Sequence, residues 1–246
     1  MISTKKNKHL ELDIPEFVCD GGVGDHLNNN PMLSHLNGFY FTAFIGKPGS
    51  GKTSLVVAML TGKKKKKVFR KCFNNILLVM PTTSRNSMKN NIFKKHTEDK
   101  MYDELTYSSI TDINNNLESY SEEKETTLLI LDDVGASLKN NEIQKTLRKI
   151  IYNRRHLKVH IIMMIQSFLS VPKEIRKLFN NIFMFKPSKV EFENLFGELF
   201  EQKKDMALDI MTYVFTNSHD YLMLNVDSQR MYKNFDEIIV KQDDED

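Results

Sequence analysis

Gly46, Lys47, Pro48, Gly49, Ser50, Gly51, Lys52 and Thr53 stand in the spacing G-x-x-x-x-G-K-T. That spacing suits a polyphosphate. Glycines let the main chain wrap closely round phosphate oxygens, and the N–H groups of the loop and of the following helix N-terminus point at the anion. Lys52 adds a point charge for the β- and γ-phosphates, and the Thr53 hydroxyl is a ligand for Mg2+. Ser54, next in the chain, completes the candidate cradle for ATP.

A phosphate loop needs a second carboxylate to hold Mg2+ through its waters. The run Leu128-Leu129-Ile130-Leu131 delivers Asp132 and then Asp133 at the end of an apolar strand. Asp132 suits the metal. Asp133 suits the residue that orients and deprotonates an attacking water, although one methylene shorter than the glutamate common there; it equally suits a cap for the following loop. Gln166 follows another apolar run and is expected at the same sheet edge, where an amide can touch the γ-phosphate or its water. An ordinary strand-end glutamine bonded to main chain is the alternative.

The elements that must position these groups are legible in the hydrophobic pattern. Residues 39–45 read as a buried strand and 54–60 as an apolar helix. Residues 75–80, 128–131, 159–165 and 182–185 read as further strands, with another short one near 105–107. Ile143, Leu147, Ile150 and Ile151 recur at helical spacing, so 140–152 reads as an amphipathic helix. Strands apolar on both faces and alternating with helices imply a mostly parallel central sheet flanked by helices, the α/β class of P-loop NTPases. The runs at 221–226 and 231–235 flank a four-residue polar stretch and read as a C-terminal β-hairpin. Residues 1–37 are rich in Asn, Gly and charge and read as an N-terminal arm, including the glycine cluster at 21–24. Residues 38–246 then form the ATPase domain.

With 246 residues and 40% hydrophobic content, the chain suits one α/β domain. A net charge of +3 announces no nucleic-acid binder, but its distribution is uneven: lysines run unbroken from 63 to 67, with Arg70 and Lys71 beyond, and the last four residues are acidic. Such blocks suit solvated loops and tails. Two cysteines make no disulfide framework and suit a reducing compartment. The N-terminal residues lack the apolar stretch of a secretory signal, and no run reaches the roughly 20 apolar residues of a membrane span. A soluble protein is expected.

The stretch NRRHLKVHIIMMIQSFLSVPKEIRKLFNNIFMFKP resembles the fourth-strand region of the FtsK/HerA superfamily, and within it the poxvirus-type DNA-packaging ATPases of large DNA viruses and virophages. Arg-His before a buried strand, Gln at its end, a helix beginning near Pro172 and a short final strand occur in the family's order. ILLVMPTTSRNSMKNNIFKKH and SHDYLMLNVDSQRMYKNFDEI are also similar to it. The resemblance spans residues 39–239 and implies a ring homo-oligomer, usually a hexamer, that threads double-stranded DNA into a capsid. Capsid or portal-like virion proteins would be its partners, and the virion or the cytoplasmic viral factory its location. Arg155 matches the family's arginine before that strand, a candidate finger acting on a neighbour's ATP. Arg154 and Arg148 lie close enough to be confused with it, and a pair of helix C-terminal caps is the other reading of Arg154 and Arg155.

DNA phosphates would be met by the 63–71 cluster and by Arg85, Lys89, Lys94 and Lys95, since a motor needs backbone contacts rather than sequence readout. Two other functions share the phosphate loop. A non-translocating ATP switch or loader would look nearly the same. A nucleotide kinase would need an acceptor pocket and an arginine-rich lid, for which the sequence gives no sign.

Overall fold

A computed structural model describes residues 2–5, 39–62, 69, 71–87, 92–200 and 204–240. The glycine cluster at 21–24, the lysine run with Arg70, Lys89 and the acidic tail lie outside the described residues, as does the side chain of Lys95.

The strands are β1 (Ile2–Lys5), β2 (Phe41–Ile45), β3 (Asn75–Val79), β4 (Met101–Tyr102), β5 (Thr127–Asp132), β6 (Val159–Ile165), β7 (Asn181–Phe185), β8 (Tyr221–Asn225), β9 (Arg230–Lys233) and β10 (Asp236–Val240). They form one ten-stranded sheet in the order β1-β10-β9-β8-β7-β2-β6-β5-β3-β4. Every pairing from β7 to β4 is parallel. Every pairing from β7 to β1 is antiparallel. The C-terminal hairpin is therefore β8–β9, and it extends the parallel sheet instead of standing apart from it. Residues 2–5, in the stretch read as an arm, supply the edge strand beside β10.

Alternating side chains divide the central strands between two cores. Phe41, Ala43, Ile45, Leu129, Leu131, Ile161, Met163 and Ile165 face one; Phe44, Leu128, Ile130, Ile162 and Met164 face the other. Helix α1 (Lys52–Thr61) covers the second face with Val56, Met59 and Leu60. The first face is covered by four helices: α2 (Tyr107–Glu122), α3 (Asn141–Asn153), α4 (Lys189–Leu199) and α5 (Lys204–Val214). Burial on both faces explains why these strands read as continuous apolar runs. The periodicity at Ile143, Leu147, Ile150 and Ile151 is that of the buried stripe of α3.

The strand expected near 105–107 is not there. Met101–Tyr102 forms it instead, and Tyr107 opens α2. The cause is local. Thr106 Oγ1 accepts from the Ser109 N–H at 3.1 Å while Ser109 Oγ accepts from the Thr106 N–H at 2.8 Å, a reciprocal cap that starts a helix. Leu105 is buried beneath it. No helix among the described residues is long and apolar enough to cross a membrane.

Candidate nucleotide site

β2 is the strand between β6 and β7, and its C-terminal end runs directly into the loop Gly46–Gly51 and helix α1. Gly49 and Gly51 have φ of 78° and 107°, a region that side chains rarely adopt. Gly46 is required for another reason: a Cβ there would lie 2.7 Å from Ser50 Oγ and 2.8 Å from Phe185 Cβ. The loop is pinned to the sheet by the Gly46 N–H, which donates to Ile165 O at 3.1 Å. Lys47, Pro48 and Gly49 are exposed at its tip, and Ser54 is exposed on the first turn of α1.

Lys52 folds back over this loop, donating to the carbonyls of Gly46 and, at 3.1 Å, of Lys47. Burial lowers its pKa, opposed by the charges of Asp132 and Asp133. Asp132 ends β5, two strands from the loop, and is half-buried. Burial and the Asp133 carboxylate raise its pKa to about 6, against the pull of Lys52. Lys52 and Asp132 thus each feel the other's charge and that of Asp133.

Asp133 is exposed and takes a left-handed backbone, φ 55°. Aspartate tolerates that conformation better than most residues. Its N–H still donates to Met164 O at 3.0 Å, so the turn is locked to the end of β6. From one residue beyond that strand, Gln166 Nε2 donates to Asp133 Oδ1 at 3.1 Å. The structure thus brings Gly46–Thr53, Asp132, Asp133 and Gln166 to one sheet edge.

Arg155 is elsewhere. It is exposed in the turn before β6, at the opposite sheet edge, where its charge, with that of Arg154, opposes the burial and the Asp227 carboxylate that raise the Tyr40 pKa. Seven residues of β6 separate the edges by roughly 23 Å. Arg155 therefore cannot touch its own chain's phosphate loop. Arg154 is the C-cap of α3, donating to Phe39 O at 2.7 Å and Ile151 O at 2.9 Å. Arg85 is ion-paired with Asp103 and donates to Thr82 Oγ1 at 2.9 Å, so its charge is engaged within the chain. It lines an open cleft of about 400 Å³ with Lys94, Glu98 and Asp103, two acids against two bases.

Two further residues stand beside the loop, in stretches whose family likeness does not single them out. Phe185, at the end of β7, flanks Gly46 and Gly51. His219 places Nδ1 3.0 Å from Ser50 O. That contact joins positions 169 residues apart, which no local pattern reveals.

The donor set fits a nucleotide polyphosphate with Mg2+. Ser50 Oγ is buried without a hydrogen-bond partner, and a Cβ on Gly49 would meet nothing within 4 Å, so the loop tip is open. Among the described residues no cluster of three or more His, Cys, Asp or Glu could cage a metal. One hydroxyl, from Thr53, and one carboxylate, from Asp132, would give Mg2+ the sparse protein ligands it accepts when phosphates complete its shell.

The sequence profile described as Poxvirus A32 protein matches residues 32–246. No curated protein sequence matches the chain. Among solved structures, the DNA-packaging ATPase B204 of Sulfolobus turreted icosahedral virus superposes with a TM-score of 0.61 at 16% identity, covering 84% of this chain and 99% of that one. The genome packaging NTPase B204 of Sulfolobus turreted icosahedral virus 2, bound to ATP-gammaS, gives 0.57 at 15% identity, covering 78% and 95%. EssC, ATPases 2 and 3, from Geobacillus thermodenitrificans gives 0.53 at 12% identity, covering 84% of this chain but 40% of that one. At such identities the likeness is one of fold.

Proposed function

Since the chain belongs to the poxvirus A32 protein family, we propose that it is the ATPase that drives a viral double-stranded DNA genome into its capsid. The observation that carries the reading is the convergence of Lys52, Asp132 and the Gln166–Asp133 pair on one phosphate loop. The B204 structures, described as those of packaging enzymes, support it by fold.

The loop N–H groups and Lys52 bind and orient the β- and γ-phosphates, leaving the carbonyls of Gly46 and Lys47 that Lys52 now contacts. Thr53 and Asp132 would hold Mg2+, which would supply charge to neutralise the phosphate oxygens. Asp133 orients the attacking water and takes its proton. Gln166 holds the Asp133 carboxylate in place and senses the γ-phosphate through it. Phosphoryl transfer to water leaves ADP and phosphate, and catalysis is positioning with charge stabilisation.

Arg155 acts on the nucleotide of a neighbouring subunit in a ring, a hexamer by the family resemblance, because it stands at the wrong sheet edge for its own. DNA is held by phosphate contacts in the pore of that ring, and a capsid or portal-like protein docks it on the shell. The working place is the virion or the viral factory.

A non-translocating ATP switch is the second reading, favoured by the left-handed turn at Asp133, which gives that residue a conformational reason to be aspartate. Duplex DNA separates the two. The motor's ATP turnover rises with added duplex and a triplex-forming strand is displaced along it. Turnover indifferent to DNA with no displacement favours the switch.

A further inference from the structure

The phosphate loop is held from outside by a residue with no part in the chemistry above. His219 is exposed, yet its Nδ1 lies 3.0 Å from Ser50 O, and a Cβ on Gly51 would lie 3.4 Å from the same nitrogen. A carbonyl only accepts, so Nδ1 carries the proton of this bond. His219 also adopts φ 71°, a strained backbone for a residue with a side chain.

That strain is maintained by a built loop. The Asp220 carboxylate is buried and accepts from the Asn217 N–H at 2.7 Å, Thr216 Oγ1 at 3.1 Å and Asn234 Nδ2 at 3.2 Å, with Lys233 3.8 Å away. Asn234 in turn accepts from the Tyr221 N–H at 3.1 Å and donates its own N–H to Tyr221 O at 2.8 Å. Residues 216–220 are thereby fixed to the β8–β9 hairpin, and His219 is held against the loop at the far end of the contact.

We propose that His219 is a positioning residue for the phosphate loop, fixing the Ser50–Gly51 peptide so that the Gly51 N–H is aimed at the diphosphate of the nucleotide. A trans peptide is planar, with its C=O and N–H pointing to opposite sides. Holding Ser50 O toward His219 therefore holds the Gly51 N–H away from His219, toward the inside of the loop. Gly51 itself offers no resistance to rotation, since its φ of 107° is open to glycine in either hand. Helix bonding does not fix the peptide either: the first intrahelical bond is that from Leu55 N–H to Gly51 O, one residue later. His219 supplies the missing restraint, and it ties the loop to the C-terminal hairpin.

The inference rests on the nucleotide reading of the loop, so the test carries a control for that reading. Binding of ADP and of inorganic pyrophosphate, both with Mg2+, is measured by calorimetry for the wild type, His219→Ala, His219→Asn and Lys52→Ala. One lost hydrogen bond corresponds to roughly fivefold in affinity. His219→Ala is expected to weaken ADP and pyrophosphate by that same factor, to raise the KM for ATP, and to leave kcat within about twofold. His219→Asn, whose amide nitrogen stands where Nδ1 stood and which tolerates positive φ, is expected to recover most of the affinity. Unchanged pyrophosphate binding in His219→Ala overturns the proposal, whether ADP binding is unchanged too or falls through a lost base or sugar contact. Wild-type ADP binding in Lys52→Ala would overturn the nucleotide reading itself, however His219 behaves.

Discussion

Gln166 and Asp133 stand one residue beyond the ends of adjacent parallel strands and meet through a 3.1 Å hydrogen bond from amide to carboxylate. The bond orients Asp133 without occupying both of its oxygens. Asp133→Asn removes the base while keeping the shape. Its expected effect is a fall in turnover of at least a hundredfold with MgATP affinity within about threefold of wild type, read by single-turnover kinetics beside equilibrium binding. Normal hydrolysis would reduce Asp133 to a turn residue.

Lys52→Ala removes the cation that lies over the loop carbonyls. ATP turnover is expected to fall by more than about tenfold, since this chemistry depends on charge placed at the phosphates. Near wild-type turnover in a variant with an unchanged thermal midpoint would overturn the site assignment.

Asp132 gives opposite signs for stability and for function. Its raised value near 6 means that the fold favours the protonated acid, so stability from this group is full below about pH 4 and lost as pH rises through 6. Asp132→Asn cannot ionise. In the nucleotide-free protein it is expected to match wild-type stability at pH 4 and to exceed it by on the order of 2 kcal/mol at pH 7.5, as measured by denaturant unfolding. The same variant is expected to lose Mg2+-dependent ATP affinity, and wild-type affinity at low Mg2+ is expected to rise with pH through 6. A stability difference independent of pH would contradict the electrostatic account.

Arg155→Ala is expected to bind nucleotide and not hydrolyse it. Mixed with Lys52→Ala, also inactive, it is expected to recover part of the activity, because a mixed ring contains interfaces pairing an intact loop with an intact arginine. Wild-type specific activity is expected to rise with protein concentration. Mixed rings verified by mass that show no recovery would remove Arg155 from the neighbour's site.

The sequence made the nucleotide edge legible because its parts are local: a contiguous loop motif, and apolar strands long enough to show their ends at Asp132 and Gln166. Helix α3 was equally plain, its four buried residues being a single stripe. The capping contact between Thr106 and Ser109 shifted a strand to Met101–Tyr102, since hydroxyl groups at that spacing start a helix that an apolar Leu105 conceals. Helix α4 shows no clear stripe, since its polar and apolar residues crowd one short segment in which Phe192, Leu195 and Phe196 alone are buried. The pairing of Ile2–Lys5 with β10 and the bond from His219 to Ser50 join distant stretches of chain, and neither leaves a mark on its own neighbourhood.

β6 is buried along all seven of its residues and hydrogen-bonded on both sides, to β2 and to β5. In mechanical terms it is a strut bonded into a panel. A close-packed interior is nearly incompressible, so the strand cannot shorten or buckle between its ends. Nor can it slide alone, since each neighbour holds its register. The spacing between Gln166 and the turn that carries Arg154 and Arg155 is therefore a fixed gauge length of the sheet, and the two ends shift only when the sheet shifts with them.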